Sequence, residues 1–215
     1  LKEEGLVDEV VGWEAKNFSV SERVSLVSDR ATGSDLGGAR AEEVSGAFFN
    51  EMQKRELGRK RCLEAGCRHF MALDVDECYK SEELSRAVLE MERGGYEAGL
   101  CLMWHYFRDP RWRLCPTDGR NWVSALFRCD AYLDFRLCHP YPVLLDPTRR
   151  LRRVTRVKLF APHELLMHHF SWVRKDIVRK LTNVTNATNY DIPDMVSFSR
   201  DFSRFKPTQP LQHPH

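Results

Sequence analysis

The sequence has no apolar run approaching the roughly 20 residues that span a bilayer, so no membrane span is expected within the chain. Its seven cysteines include no CxxC pair. Cys62 and Cys67 stand too far apart for a zinc knuckle, and no second pair follows at finger spacing. There is no glycine-rich phosphate loop of the P-loop kind. The net charge is only +2, and the basic cluster RRLRR (Arg149 to Arg153) has no interleaved aromatics, which argues against a nucleic-acid partner. That cluster reads instead as a solvated or acceptor-facing loop. The first residues, LKEEG, show neither the basic flank nor the apolar core of a secretory leader. The chain also starts almost inside an element, as a fragment of a longer protein does.

What is present suits a folded α/β domain. Hydrophobic residues make up 42% of the chain and charged residues 30%, enough for an ordinary core. The 215 residues fit one domain with an extension. Residues 1–190 read as the domain and 191–215 as a C-terminal helix or extension, whose tail KPTQPLQHPH is expected to be disordered. Asn17, Asn183 and Asn186 lie in N-x-S/T sequons, which point to a Golgi or secretory lumen; otherwise the cytoplasm is the default. Cys62, Cys101 and Cys129 sit in apolar stretches and read as buried free thiols.

Periodicity predicts a strand at Leu6 to Trp13, a loop at Ser28 to Arg40, and a helix over Phe48 to Ala65 stopped by Gly66. A strand follows at His69 to Leu73. Ser81 is placed to cap a helix reaching Glu92, ended by Gly94 and Gly95. The run Ala98 to Phe107 reads as a buried strand, Asp109 to Arg120 as a loop, and Trp122 to Cys129 as another strand. Cys138 to Arg153 is irregular. Glu164 to Phe170 reads as a strand and Trp172 to Thr182 as a helix that Ser171 is placed to cap. Strands alternating with helices predict a sheet with parallel neighbours, and such sheets bind ligands at the C-terminal edges of their strands.

At one such edge stands Asp74-Val-Asp76-Glu77, three carboxylates in four positions. Like charges repel, so a cation is expected among them. Carboxylate oxygens suit Mg²⁺ or Mn²⁺, and Mg²⁺ takes one or two carboxylates plus substrate phosphates. A D-x-D turn is therefore a natural holder for a diphosphate-bearing substrate.

The setting of the turn is KRELGRKRCLEAGCRHFMALDVDE, and a second segment downstream reads MHHFSWVRKDIVRKL. The first resembles the helix–strand–D-x-D pattern of nucleotide-sugar-dependent glycosyltransferases of the GT-A fold. Lys54, Arg55, Gly58, Ala65, Gly66, Asp74, Asp76 and Glu77 fall on that pattern, and Glu56 stands where it has Asn. The second resembles the "W-H-x-S … I-x-x-K" segment of the β-1,4-N-acetylglucosaminyltransferase type, with His169, Ser171, Ile177 and Lys180 on matching positions.

The resemblance implies a GT-A-like, mostly parallel Rossmann-like sheet flanked by helices, with its first strand missing from this chain. It implies a transferase that uses Mn²⁺ or Mg²⁺ and a nucleoside-diphosphate sugar, with a uridine diphosphate sugar the expected donor and a glycan or glycoprotein the acceptor. Asp74, Asp76 and His169 are then the metal residues, with Asp74 acting through the ribose or a bound water. Arg55, Asp74, Ser171, Arg174 and Lys180 hold the donor.

Negative charge builds on the leaving diphosphate, which is why cations belong there. An inverting reaction also needs a carboxylate base, for which Asp130 and Asp134 are the candidates. Glu14 is a candidate to face the base and Trp112 to stack on a sugar ring. Two other classes stay open: another metal-dependent nucleotide enzyme, such as a nucleotidyltransferase, and an inactive carbohydrate-binding relative.

Overall fold

The computed structural model describes residues 46–113, 121–135, 146–183 and 192–205. The strand expected at Leu6 to Trp13, the loop at Ser28 to Arg40, Glu14, Asn17, Asn186, Cys115, Cys138 and the tail lie outside the described residues.

Helix α1 (Gly46–Glu64) ends as the sequence predicts. Gly66 takes φ +75°. Its N–H donates to the Leu63 carbonyl (3.0 Å) and the Cys67 N–H to the Cys62 carbonyl (2.9 Å). This is a Schellman terminus, which needs a left-handed residue that glycine supplies without a Cβ penalty. Helix α2 (Ser81–Gly94) closes the same way on Gly95, φ +58°. Ser81 is its first helical residue; the cap position belongs to Lys80, which makes no side-chain capping bond.

The strands are β1 (His69–Met71), β2 (Glu77–Cys78), β3 (Ala98–Phe107), β4 (Asp109–Arg113), β5 (Trp122–Arg128), β6 (Asp134–Phe135), β7 (Leu151–Arg152), β8 (Val157–Leu159) and β9 (Leu166–Trp172). The main sheet runs β1-β5-β3-β9-β2, with β4 and β8 also on β3. β6 and β7 form a separate ribbon. Helices α3 (Ile177–Asn183) and α4 (Ile192–Arg204) follow.

The protein is α/β, as expected, but parallel neighbours are the minority among the described strands. β3 runs parallel to β8 and β9 and antiparallel to β4 and β5; β1–β5, β2–β9 and β6–β7 are antiparallel. The reason lies between β3 and β5. A parallel neighbour needs a crossover, usually through a helix. Here β4 instead folds straight back on β3 through Arg108, at φ +62°. The expected loop at Asp109 to Arg120 therefore begins as strand β4, on which Pro110 is tolerated because only one neighbour needs hydrogen bonds.

β3 is the central strand and is buried over most of its length, as a strand covered on both faces should be. Leu100 and Phe127 share one face with Phe70 and pack against Phe49 and Met52 of α1 and Phe135 of the ribbon. Cys101, Met103 and Leu126 pack on the other face against Ala87 and Met91 of α2 and Phe160. Gly99 permits that approach: a Cβ there would sit 2.7 Å from the Phe160 ring and 2.9 Å from the Met91 sulfur. Ile177 and Leu181 of α3 cluster with Phe202 of α4 beside Phe107 and Trp172, at the C-terminal end of β3.

Candidate functional site

The three acidic residues close a tight turn between β1 and β2. The Glu77 N–H donates to the Asp74 carbonyl (3.0 Å), and the Asp74 N–H donates back to Glu77 Oε2 (3.1 Å). The Phe170 N–H donates to the Asp76 carbonyl (2.8 Å), which fastens the turn to β9. The two aspartates then part company.

Asp74 belongs to a largely buried ionic cluster. Arg149 donates to Asp74 Oδ2 (2.8 Å), Glu77 Oε1 (2.5 Å), Asp146 Oδ2 (3.0 Å) and the Ala72 carbonyl (3.2 Å). Arg55 bonds Asp146 Oδ2 (3.2 Å) and Thr148 Oγ1 (3.1 Å) and lies 3.6 Å from Asp74. Three carboxylates thus meet two guanidinium groups. The cation the acidic turn calls for is Arg149, which is 1% exposed. This corrects the reading of RRLRR as a solvated loop: Arg149 and Arg150 are both buried. It also gives Arg55 a role in fixing Asp74 and Asp146 rather than an open position toward a ligand.

Asp76 faces the other way, into a mainly basic group. Its Oδ2 accepts from Arg174 (2.7 Å), and its Oδ1 lies 3.7 Å from His169 Nε2. His169, most of all, with Arg174 and Lys180, holds the Asp76 carboxyl well below the usual carboxylate range against the opposing effect of burial. Lys180 donates to the Ser171 hydroxyl and lies 5.2 Å from the centre of the Trp172 ring. Burial, then the nearby Arg174, lower its pKa, while Asp76 opposes them. The Arg174 Nε donates to the Ser171 carbonyl (2.8 Å). Of the residues expected in the site, Asp76, His169, Ser171, Arg174 and Lys180 therefore stand together.

Strand register explains the meeting. Glu77 pairs with His169 across β2–β9, and His105 pairs with His169 across β3–β9. His168 and His169 face opposite sides, as alternation requires. His168 Nδ1 meets the Tyr106 hydroxyl (2.7 Å) and stacks on that ring. His169 Nδ1 meets His105 Nδ1 (3.2 Å).

His105 is the residue that sequence reasoning missed; its one signal was a polar side chain inside AGLCLMWHYF. Burial, with His169 and Lys180 nearby, pushes its imidazole down to about 4, so it is neutral at physiological pH and able to accept. With His105 neutral, one of the two facing Nδ1 atoms donates and the other accepts.

Three expectations are corrected. Ser171 does not cap a helix: it lies within β9, which continues through Trp172, and α3 starts only at Ile177. The cap there is Asp176, whose Oδ1 accepts the Arg179 N–H (2.9 Å). Asp130 and Asp134 are not brought to the turn. Asp130 follows the end of β5, where Arg128 pairs with His69 at the start of β1, and it is bound to Arg128 Nε (2.6 Å). Asp134 pairs with Arg152 in the ribbon. Trp112, expected in a loop, lies in strand β4, its ring centre 6.2 Å from that of Phe205.

Among the described residues no three His, Cys, Asp or Glu are placed to hold one ion. The expected trio of Asp74, Asp76 and His169 is therefore reduced to the pair Asp76 and His169. Two ligands of one ion at roughly 2.1 Å lie about 3.0 Å apart when adjacent and about 4.2 Å when opposite. The observed 3.7 Å matches neither, so the two side chains would have to close to about 3.0 Å to share one ion as neighbours. No family model, curated protein or solved structure matches the chain.

Proposed function

We propose that the protein is a metal-dependent glycosyltransferase of GT-A type, moving a sugar from a nucleoside-diphosphate sugar to an acceptor hydroxyl. The observation that carries the reading is the Asp76–His169 pair at the end of the D-x-D turn, with Arg174 and Lys180 beside it. One carboxylate faces two cations there, so the surroundings favour an anion. Asp76 and His169 would hold Mn²⁺ or Mg²⁺, which supplies Lewis-acid stabilisation of the leaving diphosphate when bound. Arg174 and Lys180 orient the diphosphate and offset the charge that grows on it as the glycosidic bond breaks. His105 orients the His169 imidazole. Arg149 and Arg55 hold Asp74 still, at the edge where the ribose or a bound water would sit. The chain's other carboxylate candidates lie away from this edge, so the acceptor base is left unassigned.

A thermal-shift panel of nucleotide sugars, each with and without Mn²⁺, tests the proposal. A donor at about 100 times its Kd adds roughly 2.7 kcal/mol, or about 5–10 °C for a chain of this size, and the shift should need metal and donor together. A shift with nucleoside triphosphates alone would favour a nucleotidyltransferase. A metal-free shift with glycans alone would favour a carbohydrate-binding relative. No shift with any donor in the presence of metal would remove the proposal.

A further inference from the structure

Three thiols meet where α1 ends and β5 ends. The Schellman terminus of α1 brings the Cys67 N–H to 2.9 Å from the Cys62 carbonyl. In that motif these two positions normally share a side-chain contact; here both are cysteines. The Cys129 N–H donates to the carbonyl of Arg68 (2.9 Å), which brings the third thiol alongside. All three are unpaired; Cys67 is exposed, and Cys62 and Cys129 are half-buried.

The backbone bond brings the first two within disulfide range. With standard bond lengths, an N···O contact of 2.9 Å leaves the two Cα atoms at most about 6.8 Å apart. Disulfides form at Cα separations of roughly 4.4–6.8 Å.

We propose that Cys62 and Cys67 form a dithiol site which a low-molecular-weight disulfide, such as oxidised glutathione, converts to an intramolecular disulfide. Entry is at Cys67, the exposed thiol. Its thiolate attacks one sulfur of the small disulfide, forming a mixed disulfide and releasing one thiolate. Cys62, having lost its proton to solvent, then attacks the Cys67 sulfur and expels the second. Two protein thiols are oxidised, one small disulfide is reduced to two thiols, and no other electron acceptor is needed. Burial raises the pKa of both half-buried thiols, Cys62 and Cys129; Cys62 is the one that follows, because the Schellman bond holds it beside Cys67. The bond ties the end of α1, the helix that carries Arg55, to the chain entering β1 and the Asp74 turn.

The sequence makes the test direct. Trypsin cuts after Arg61 and Arg68, so one peptide, CLEAGCR, holds both thiols. The folded, reduced chain is incubated with oxidised glutathione at neutral pH, alkylated, digested and weighed. The expected result is CLEAGCR lighter by about 2 Da than its dithiol form, with Cys129 still open to alkylation after unfolding. Cys62→Ser should stop the reaction at a stable glutathione adduct on Cys67, and Cys67→Ser should leave Cys62 unmodified. A lasting glutathione adduct on Cys67 in the parent chain, a cross-link from Cys67 to Cys129, or no reaction at CLEAGCR would overturn the proposal.

Discussion

Replacing Arg149 with alanine should destabilise the fold severely, and the contacts show why. Arg149 is 1% exposed and serves three carboxylates at once. After its removal Asp146 keeps Arg55 at 3.2 Å, and Asp74, about half exposed, keeps water. Among the described residues Glu77 keeps only the Asp74 N–H, and its side chain is 3% exposed. A buried carboxylate left without its cation costs about 3–5 kcal/mol. That is a large part of a typical domain's 5–15 kcal/mol, or roughly 6–20 °C in melting temperature.

The gap should close at low pH. Burial raises the Asp146 pKa, but Arg55 and Arg149 outweigh it and hold the carboxyl below its ordinary value. A depressed carboxylate contributes stability above its unfolded pKa of about 3.9, and that contribution is lost as pH falls through the folded value. Parent and variant should therefore begin to converge as pH falls below about 4 and meet only below the folded value. Urea titration followed by tryptophan fluorescence reads both effects. Glu77→Gln in the Arg149→Ala background should recover part of the loss, since an amide needs no cation. An Arg149→Ala variant within about 1 kcal/mol of the parent at pH 7 would refute the reasoning, because breaking a buried pair cannot cost so little.

Asp76→Asn should abolish Mn²⁺-dependent donor binding in the thermal-shift assay, and a variant that binds metal and donor like the parent would show the site to be misplaced. His169→Ala should do the same while His168→Ala leaves donor binding intact; equal, small effects from the two would remove His169 from the metal site. His105→Phe should weaken Mn²⁺ binding by about 10–100-fold, the usual cost of losing a ligand's orienting partner, and calorimetric titration with Mn²⁺ would expose a null effect. Gly99→Ala should cost about 1–3 kcal/mol through overpacking against Phe160 and Met91, seen as a lower urea midpoint at unchanged slope; an unshifted midpoint would mean that both side chains move aside freely.

What the sequence made legible was mainly local. Gly66 and Gly95 stop their helices because the left-handed residue and the helix end are one feature. The run from Ala98 to Phe107 declares a strand buried on both faces. His168 and His169 separate by simple alternation. Ser171 shows where a local rule fails. Serine before a helical pattern suggests a cap, but β9 gains further pairing with β3, Trp172 opposite Phe107, by continuing past it. The true cap, Asp176, carried as good a signal five residues later.

The remainder was illegible because it joins residues far apart in sequence. Nothing in RRLRR distinguishes Arg149 from its neighbours until Asp146 opens a 3-10 turn and caps it through the Thr148 N–H (2.9 Å). That turn carries Arg149 under an acidic turn 75 residues upstream. Yet each half of the pairing posed a question. Carboxylates crowded into a turn need a cation, and Arg149 answers within the fold. A histidine inside an apolar strand needs a polar neighbour across the sheet, and register supplies His169. Asp76 is the exception. Its main-chain carbonyl and one carboxylate oxygen are engaged, and its other oxygen faces His169 Nε2 at 3.7 Å, too far for a hydrogen bond. Where Asp74 and Glu77 are closed by direct bonds, this one gap lies between a carboxylate oxygen and an imidazole nitrogen, which is where the proposed ion would enter.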